Sequence, residues 1–155
     1  RNFQGYSTKA ECDLVALGVS SISKVGDAYA QNAKTLNEYY AAIDGGGLAV
    51  QRGVALTRDD RIRRDVIQRL MCATRLSFAE VEAEHGIVFE DYFLGELEAL
   101  KPLEADGLVR HEGRGLVVTG RGRLLMRNVA MPFDAHLPKV PQAAPGETPR
   151  FSRAV

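Results

Sequence analysis

The stretch TRDDRIRRDVIQRLMCA, residues 57–73, decides how the second half of the chain is interpreted. Thr57 followed by Asp60 resembles a capping box with aspartate in place of glutamate, which predicts the start of a helix. Apolar residues then recur at helical spacing through about Ala73. They are Ile62, Val66, Leu70 and Met71. The stretch therefore predicts a long amphipathic helix with one buried face.

Two further helices are predicted after this one. Ser77 with Glu80 indicates a short helix that Gly86 closes. A third helix meets Pro102, which must kink it or begin a new turn. The apolar side chains that this third helix turns inward are Phe93, Leu97 and Leu100.

The end of this region predicts a hairpin and one more helix. The sequence LVRHEGRGLVVT, residues 108–119, is typical of two short strands around a glycine turn. Thr119 then caps a last helix, which ends at Pro132. Its buried side is expected to include Leu124, Leu125 and Val129. Helix, helix, helix, hairpin, helix is the order of elements in a winged-helix domain.

The first part of the chain predicts a strand, a helix and an extended stretch. Residues 13–23, DLVALGVSSIS, form an apolar run ending in small hydroxyl residues, which is typical of a buried strand running into a loop. A helix is predicted over residues 32–44, with Asn32 as N-cap and the glycines at 45–47 as its end. Residues 48–57, LAVQRGVALT, then continue as a short extended stretch. The predicted buried face of the helix carries Leu36, Tyr39, Tyr40 and Ile43.

Composition limits the class of protein. The 155 residues are 45% hydrophobic, enough to bury a core as one domain or as a small domain with an appended piece. No run approaches the roughly 20 apolar residues of a membrane-spanning helix, and nothing resembles a secretory leader. We therefore expect a soluble, cytoplasmic protein with no membrane partner. Cys12 and Cys72 lie far apart in apolar runs, which predicts buried, reduced thiols without chemistry.

Charge is segregated along the chain. Residues 52–75 carry an excess of four positive charges, residues 77–106 an excess of eight negative charges, and residues 108–128 an excess of four positive charges. The candidate recognition helix of a winged helix, EDYFLGELEAL, is acidic, so DNA phosphates would repel it. We therefore expect no nucleic-acid partner. The arginines are expected to pair with the acidic helices of the same domain.

Three stretches go beyond generic pattern: RNFQGYSTKAECDLVALGVSSISKVGDAYAQN (1–32), RGVALTRDDRIRRDVIQRLMC (52–72) and GRGRLLMRNVAMPFD (120–134). In this order they resemble the carboxy-terminal part of the oxygen-independent coproporphyrinogen III oxidases, radical S-adenosylmethionine enzymes of haem biosynthesis. The similarity covers nearly the whole chain outside its proline-rich stretch, and the final FSRAV resembles the family's ending. Because RNFQGY resembles a segment late in the catalytic barrel, we expect a fragment of a longer polypeptide.

The resemblance implies an activity for the full-length enzyme. The family oxidatively decarboxylates two propionates of coproporphyrinogen III to vinyl groups, giving protoporphyrinogen IX. A 4Fe–4S cluster held by a CxxxCxxC motif cleaves S-adenosylmethionine, and the resulting 5′-deoxyadenosyl radical abstracts a hydrogen from the propionate. This chain contains no such cysteine triplet, so its cluster ligands are expected upstream of Arg1. The isolated chain is expected to be inactive.

The resemblance also implies site residues within this chain. Phe3 and Gln4 match residues associated with a second S-adenosylmethionine molecule, and Ile22 matches a residue beside the cofactors. A glutamine amide both donates and accepts hydrogen bonds, and Ile22 is expected at the end of a parallel strand, where barrel sites are built. Arg52 and Arg127 are candidate substrate residues because guanidinium groups bind carboxylates; the alternative for each is a structural ion pair.

Other polar residues receive no role from the sequence. GDAYAQN (26–32) and RNVAM (127–131) match the family, but their chemistry suggests no function. The histidines lack the spacing of metal ligands or of a catalytic triad, and we expect solvated positions for them and no metal site in this chain. They are His85, His111 and His136.

We therefore predict an α+β, mostly helical fold. Residues 1–56 are expected to form the C-terminal barrel elements of the catalytic domain, in strands and a helix. Residues 57–134 are expected to form a winged-helix-like domain beside the active site, and residues 135–155 a proline-rich tail that Phe151 could anchor. The implied partners are coproporphyrinogen III and the missing N-terminal barrel. Two alternatives stay open: a haem-binding or haem-trafficking relative of the family, and a winged-helix DNA-binding module.

Overall fold

Residues 12–137 are described by the computed structural model of the chain, and they form two three-stranded sheets and six α-helices. None of the helices in this range is long and apolar enough to span a bilayer. Predictions for residues 1–11 and 138–155 lie outside the described residues. These include the cofactor assignments of Phe3 and Gln4 and most of the proline-rich tail.

The first sheet is antiparallel, with strand order β1-β2-β3. Its strands are β1 (Ile22–Val25), β2 (Ala28–Asn32) and β3 (Val50–Ala55). Gly26 adopts a φ of +54° in the turn between β1 and β2, a left-handed conformation that favours glycine. Helix α1 (Leu36–Asp44) connects β2 to β3 and ends at Gly45, as predicted.

Two predictions for this region are wrong. Residues 13–23 do not form a buried strand, since Leu14 makes only an isolated bridge and β1 begins at Ile22. Asn32 is not a helix N-cap; it ends β2, and its buried amide donates to the Gly18 carbonyl oxygen at 2.9 Å. The N-cap of α1 is instead Thr35. In both places strand pairing determines the backbone conformation, and the local pattern does not reveal that pairing.

Helix α1 presents its apolar stripe to solvent. The predicted buried face is wrong because none of its residues is buried. Leu36 is 60% exposed, Tyr40 56% and Ile43 43%. Tyr39 is half-buried, and its hydroxyl accepts a hydrogen bond from the Gly18 N–H at 3.2 Å. The helical spacing is correct, but no layer among residues 12–137 covers the stripe.

Helix α2 (Arg58–Ala73) confirms the prediction for residues 57–73. The Thr57 hydroxyl accepts the Asp60 N–H at 3.1 Å, and the Asp60 carboxylate accepts the Thr57 N–H at 2.9 Å. Both halves of the capping box are therefore present. The buried residues of the helix are Ile62, Val66 and Leu70, and Met71 is half-buried.

Two of the next three helices were predicted, and the short helix between them was not. Strand β4 (Arg75–Ser77) leads into α3 (Phe78–His85), which Ser77 caps and Gly86 ends. Helices α4 (Phe89–Tyr92) and α5 (Leu94–Ala105) come next. Pro102 lies inside α5 without ending it.

The predicted hairpin is confirmed, and the last helix is confirmed in part. Strands β5 (Val109–His111) and β6 (Gly115–Val118) pair antiparallel, and β4 joins them in a sheet of order β4-β6-β5. A 3₁₀ turn (Gly122–Leu125) precedes α6 (Met126–Ala130), which buries Val129. The predicted burial of Leu124 and Leu125 is wrong: they are 88% and 47% exposed. A 3₁₀ turn has three residues per turn, so the α-helical period of 3.6 residues predicts the wrong direction for these two side chains.

The apolar core lies between residues 62 and 133. The Phe78 and Phe89 rings stack with centroids 4.1 Å apart, and Phe93 lies 4.8 Å from Phe89 and 5.4 Å from Phe133. In the described part of the first sheet and its loops, the buried apolar residues are only Ala33 and Ala49. Other members of the main core include Ile62, Val66, Leu70, Val81, Leu100, Leu116 and Val129.

The predicted pairing of arginines with acidic helices is confirmed. Arg63 donates to Glu96 at 2.8 Å. Arg69 donates to Glu80 at 2.8 Å and to Glu84 at 2.6 Å. Helix α2 is thereby tied to α3 and α5. Arg114, between β5 and β6, donates to Glu82 at 2.8 Å and to Glu90 at 3.1 Å.

The prediction of buried cysteines is wrong for Cys12 and is met only in part by Cys72. Cys12 is exposed, because the apolar run that contains it is not covered, whereas Cys72 in α2 is half-buried. Both are free thiols.

Candidate functional site

Strand pairing in the first sheet brings two predicted site residues together. Ile22 pairs with Gln31 across β1 and β2, and Gln31 pairs with Arg52 across β2 and β3. Directly paired residues project from the same face of a sheet. The three side chains therefore form one row across the sheet, called here the Ile22–Arg52 row. Ile22 begins an antiparallel strand, so its predicted place at the end of a parallel strand is wrong.

Gln31 connects the two ends of this row. The Arg52 Nε–H donates to Gln31 Oε1 at 2.8 Å. The Gln31 Nε2–H donates to the Ser20 carbonyl oxygen at 3.1 Å. One amide side chain thus contacts both the predicted substrate residue and the loop that leads into Ile22.

The loop before Ile22 is held in a specific conformation. Ser20 has a φ of +61°, which is uncommon for a residue other than glycine. Its N–H donates to the Ala33 carbonyl oxygen at 2.8 Å, and the Ser21 hydroxyl donates to the Gly18 carbonyl oxygen at 2.7 Å. Asn32 Nδ2 donates to that same Gly18 oxygen and to the Ser21 hydroxyl at 3.0 Å. These contacts fix the backbone from which Ile22 projects.

The stretch GDAYAQN, residues 26–32, supplies much of this arrangement. Gln31 and Asn32 anchor the loop, and Asp27 accepts a hydrogen bond from Arg61 of α2 at 2.6 Å. Sequence reasoning missed Gln31. The available signal was the two-residue spacing of Tyr29 and Gln31, which places both on one face of a strand.

The chemistry of the Ile22–Arg52 row suits a ligand with an apolar part and a negative charge. Ile22 is exposed and offers an apolar surface. Arg52 is also exposed, and among residues 12–137 its Nη groups have no hydrogen-bond or ion-pair partner. A guanidinium with free N–H groups binds a carboxylate, bidentately where geometry allows.

Arg127 lies on a different element. It is exposed on α6 and borders a cavity of about 360 Å³ together with Met71 and Met131. Within the described part of the chain it forms no ion pair, so the structural alternative considered for it has no support there. The structure does not place Arg127 in the Ile22–Arg52 row.

A second cavity, of about 250 Å³, lies where the first sheet meets α2. Tyr29 and Leu56 line one side, and Arg64 and Ile67 line the other. The Nη1 atom of Arg64 is buried there without a hydrogen-bond partner among residues 12–137. Because Tyr29 and Gln31 share a face of β2, this cavity continues the same face of the sheet.

Asp60 and His136 border this second cavity, and the His136 Nε2 and Asp60 Oδ1 atoms lie 2.6 Å apart, within hydrogen-bond distance. Hydrogen bonds from the Thr57 hydroxyl and backbone, with a further one from His136, lower the pKa of Asp60 from 3.8 to about 2. The hydrogen bond to Asp60 and its negative charge raise the pKa of His136. His136 is exposed, as predicted.

A group of potential metal ligands occurs in the helical part. Asp65, Glu84 and His85 place ligand atoms within 4.8 Å of one another. Arg69 already donates to Asp65 at 2.9 Å and to Glu84 at 2.6 Å, so a guanidinium already neutralises two of the three potential ligands. We interpret it as an ion-pair network. The prediction that His85 is solvated is wrong, since it is half-buried and lies 3.0 Å from Asp65.

The residues of this chain do not fit an iron–sulfur cluster. Such clusters are held by cysteine thiolates, commonly four. The chain contains only Cys12 and Cys72, one before β1 and the other in α2. The donor set of the Ile22–Arg52 row, in contrast, fits a carboxylate.

Comparison with known proteins gives a consistent result. Residues 56–125 match the HemN C-terminal domain. The chain is 53% identical over 137 residues to the oxygen-independent coproporphyrinogen III oxidase of Escherichia coli, and 46% identical over 155 residues to that of Pseudomonas aeruginosa. These matches cover 88% and 100% of this chain, but only 30% and 32% of the two relatives.

The solved structure of the Escherichia coli coproporphyrinogen III oxidase (HemN), described as a radical SAM enzyme, is also similar. The TM-score is 0.82 at 52% identity, over 88% of this chain and 32% of that one. The chain therefore spans about a third of the length of these relatives and corresponds to their C-terminal part.

Proposed function

The chain carries a HemN C-terminal domain and is a relative of the C-terminal part of the oxygen-independent coproporphyrinogen III oxidases; from this relationship we propose that it works as one part of such an enzyme. The proposed reaction is the oxidative decarboxylation of two propionates of coproporphyrinogen III to vinyl groups, which yields protoporphyrinogen IX. The proposed compartment is the cytoplasm. The observation that carries the proposal is the identity of 53% across 88% of the chain.

The proposed contribution of the first sheet is one wall of the reaction site. The Ile22–Arg52 row combines an exposed apolar side chain with a guanidinium whose Nη groups are free of described partners. In this proposal Ile22 lies against the cofactors and Arg52 binds a propionate carboxylate. Phe3 and Gln4 are proposed to contact S-adenosylmethionine. Arg127 is a weaker candidate for substrate contact because it lies apart from this row.

The proposed cofactors are S-adenosylmethionine and a 4Fe–4S cluster, which together supply the radical chemistry in the full-length enzyme. Because two distant cysteines cannot hold the cluster, its ligands are assigned to the part of the enzyme outside this chain. The role of this chain is then to bind, orient and exclude water.

The proposed partner of the first sheet and α1 is the N-terminal barrel of the same polypeptide. The apolar stripe of α1 is exposed at Leu36, Tyr40 and Ile43, and Leu48 beyond the helix is 85% exposed. Exposed apolar surface of this extent is typical of an interface. The relatives contain about twice as much additional chain that could cover it.

The proposed role of residues 57–134 is a winged-helix-like cover. The order of α2 to α6 and the sheet β4-β6-β5 support this, and the acidic residues of α3 and α5 are engaged by arginines of α2. In the proposal this domain packs beside the site and keeps water away from the reacting groups.

The proposal is tested on the full-length protein under anaerobic conditions. Deletion of residues 57–155 is expected to abolish formation of protoporphyrinogen IX, measured by the fluorescence of its oxidised porphyrin. Unchanged product formation would reject the role of the cover. A full-length protein that forms no product but shifts the Soret band of added haem would support the haem-binding alternative instead.

A further inference from the structure

We propose that Gln31 and Arg52 form a carboxylate-binding site on the first sheet, in which Gln31 is the positioning residue that aims the Arg52 guanidinium. The inference rests on the proposed function, which supplies two sources of the carboxylate: a propionate of the porphyrinogen and the amino-acid end of S-adenosylmethionine. It gives GDAYAQN, residues 26–32, a role that the sequence did not assign.

The contact between the two side chains fixes one edge of the guanidinium. Arg52 Nε–H donates to Gln31 Oε1 at 2.8 Å, and the two residues are paired across β2 and β3. This bond uses one of the five N–H groups of Arg52 and leaves the two Nη groups as a fork. A fork of this kind matches the two oxygens of a carboxylate.

The other end of the Gln31 amide determines its orientation. Gln31 Nε2 donates to the Ser20 carbonyl oxygen at 3.1 Å. A flipped amide would direct its NH₂ group at the Arg52 Nε–H and its oxygen at the Ser20 carbonyl, so both contacts would become repulsive. Only one orientation satisfies both neighbours. Gln31 therefore has little freedom, although it lies on an exposed sheet face.

The support behind Gln31 is itself rigid. The Ser20 backbone is held at a φ of +61°, and its N–H donates to the Ala33 carbonyl oxygen at 2.8 Å. Asn32, the neighbour of Gln31 on β2, is buried and donates to the Gly18 carbonyl oxygen. The Gln31 amide thus links the Arg52 guanidinium to the Ser20 backbone, whose conformation is fixed. Without that amide, the described residues offer the exposed Arg52 side chain no other partner.

Substitutions of Gln31 can separate its effect on the orientation of the Arg52 guanidinium from an effect on the charge of the site. Gln31→Met removes both hydrogen bonds, so the guanidinium loses its orientation but keeps its charge. Gln31→Glu still accepts from Arg52, but it neutralises the guanidinium and competes with an incoming carboxylate. Both variants should weaken carboxylate binding, for different reasons. Gln51→Met is the matched control, because Gln51 is exposed on the same strand next to Arg52 but lies at the register shift between β2 and β3, where it pairs with neither Gln31 nor Asn32.

The experiment measures equilibrium binding to the full-length protein, which separates affinity from turnover. The probes are coproporphyrin III, followed by its fluorescence, and S-adenosylmethionine, followed by calorimetry. Arg52→Met is expected to weaken binding of one probe by about tenfold or more, and both Gln31 variants by about three- to tenfold. The affected probe identifies the source of the carboxylate. Gln51→Met should change neither Kd by as much as twofold.

A double-mutant cycle tests whether Gln31 acts through Arg52. The double variant Q31M/R52M should bind no more weakly than R52M alone, because the positioned group is already absent. Losses that add in the double variant, or an equal loss in Gln51→Met, would overturn the inference. Unchanged binding of both probes in Arg52→Met would overturn it as well, whereas normal product formation by that variant would leave the proposed function intact.

Discussion

Gly122 lies so close to Leu108 that a Cβ atom on the glycine would stand 1.9 Å from the Leu108 carbonyl oxygen. That oxygen accepts the Thr119 N–H at 3.0 Å, and the Thr119 hydroxyl accepts the Gly122 N–H at 3.1 Å. The glycine therefore allows the chain after β6 to fold back onto the residue that precedes β5. The constraint is steric, because Gly122 does not adopt a positive φ.

Gly122→Ala is expected to destabilise the chain by about 3 kcal/mol or more, because the clash involves backbone atoms that cannot rotate away. The measurement is urea unfolding followed by circular dichroism. Gly120→Ala is the control, since a Cβ at Gly120 meets nothing within 4 Å. Equal urea midpoints for the two variants would show that Gly122 does not lie this close to the Leu108 carbonyl oxygen in solution.

Phe89→Ala is expected to cost about 3–5 kcal/mol in the free energy of unfolding. Phe89 is fully buried and stacks on Phe78 with ring centroids 4.1 Å apart, so its removal leaves a cavity between α3 and α4. Leu94→Ala, on a side chain that is 63% exposed, should cost less than about 1 kcal/mol. Chemical denaturation of both variants measures the difference.

The local signals in the sequence predicted the helical part well, because their causes are local. The capping box of Thr57 and Asp60 and the stop at Gly86 depend on residues a few positions apart. Leu124 and Leu125 were misplaced because a 3₁₀ turn, rather than an α-helix, carries them. Their spacing alone could not distinguish the two.

Predictions for the first sheet were less successful because its geometry depends on pairing. Ile22 was predicted at the end of a parallel strand, but it begins an antiparallel one. Gln31 was missed as a site residue because its importance comes from its cross-strand neighbours Ile22 and Arg52. Strand register brings these residues together, and no local motif encodes that register.

Arg63→Met and Arg61→Met should have very different effects. The Arg63 side chain is 17% exposed; it donates to Asp59 and Glu96 at 2.8 Å, so its loss leaves Glu96 without a partner among the described residues and Asp59 with only the Tyr92 hydroxyl. Despite the opposing effect of burial, these contacts raise the pKa of Arg63. Arg61 makes one exposed ion pair, with Asp27. We expect a loss of about 2 kcal/mol for Arg63→Met and at most about 1 kcal/mol for Arg61→Met in urea unfolding.

The contribution of Asp60 should depend on pH in a defined window. Its folded pKa is lowered from 3.8 to about 2, so its stabilisation is complete above pH 3.8 and is lost as the pH falls through 2. Asp60→Asn should therefore reduce stability by about 1–2 kcal/mol at pH 5 and have little effect near pH 2. Asp91→Asn, on an exposed residue of α4, is the control. Urea midpoints between pH 5 and pH 2 that fall in parallel for D60N and the unmodified chain would contradict this prediction.

The stabilisation by His136 should change with pH in the direction opposite to that of Asp60: it should decrease as the pH rises. Its pKa is raised by the hydrogen bond to Asp60, so the stabilisation is present below pH 6.5 and is lost as the pH rises through the higher folded value. The His136 side chain is largely exposed, so we expect it to contribute little to stability. The test is therefore whether its contribution decreases or increases with pH. The stability difference between the unmodified chain and His136→Gln should shrink on going from pH 5.5 to pH 8.5. A difference that grows with pH would show that His136 does not pair with Asp60 in solution.

The exposed stripe of α1 should distinguish this chain from the full-length protein. Leu36, Tyr40 and Ile43 lie on one face of the helix and contact no covering layer in residues 12–137. Replacing Tyr40 and Ile43 with serine should therefore change the unfolding free energy of this chain by less than about 1 kcal/mol. In the full-length protein the same change should lower the thermal midpoint, because in the proposed assembly the apolar face is buried against the barrel. Asn37→Gln, on an exposed residue of the same helix, is the control in both forms. Equal effects of the serine variants in the two forms would show that the stripe stays in water, and that the first sheet does not dock through this helix.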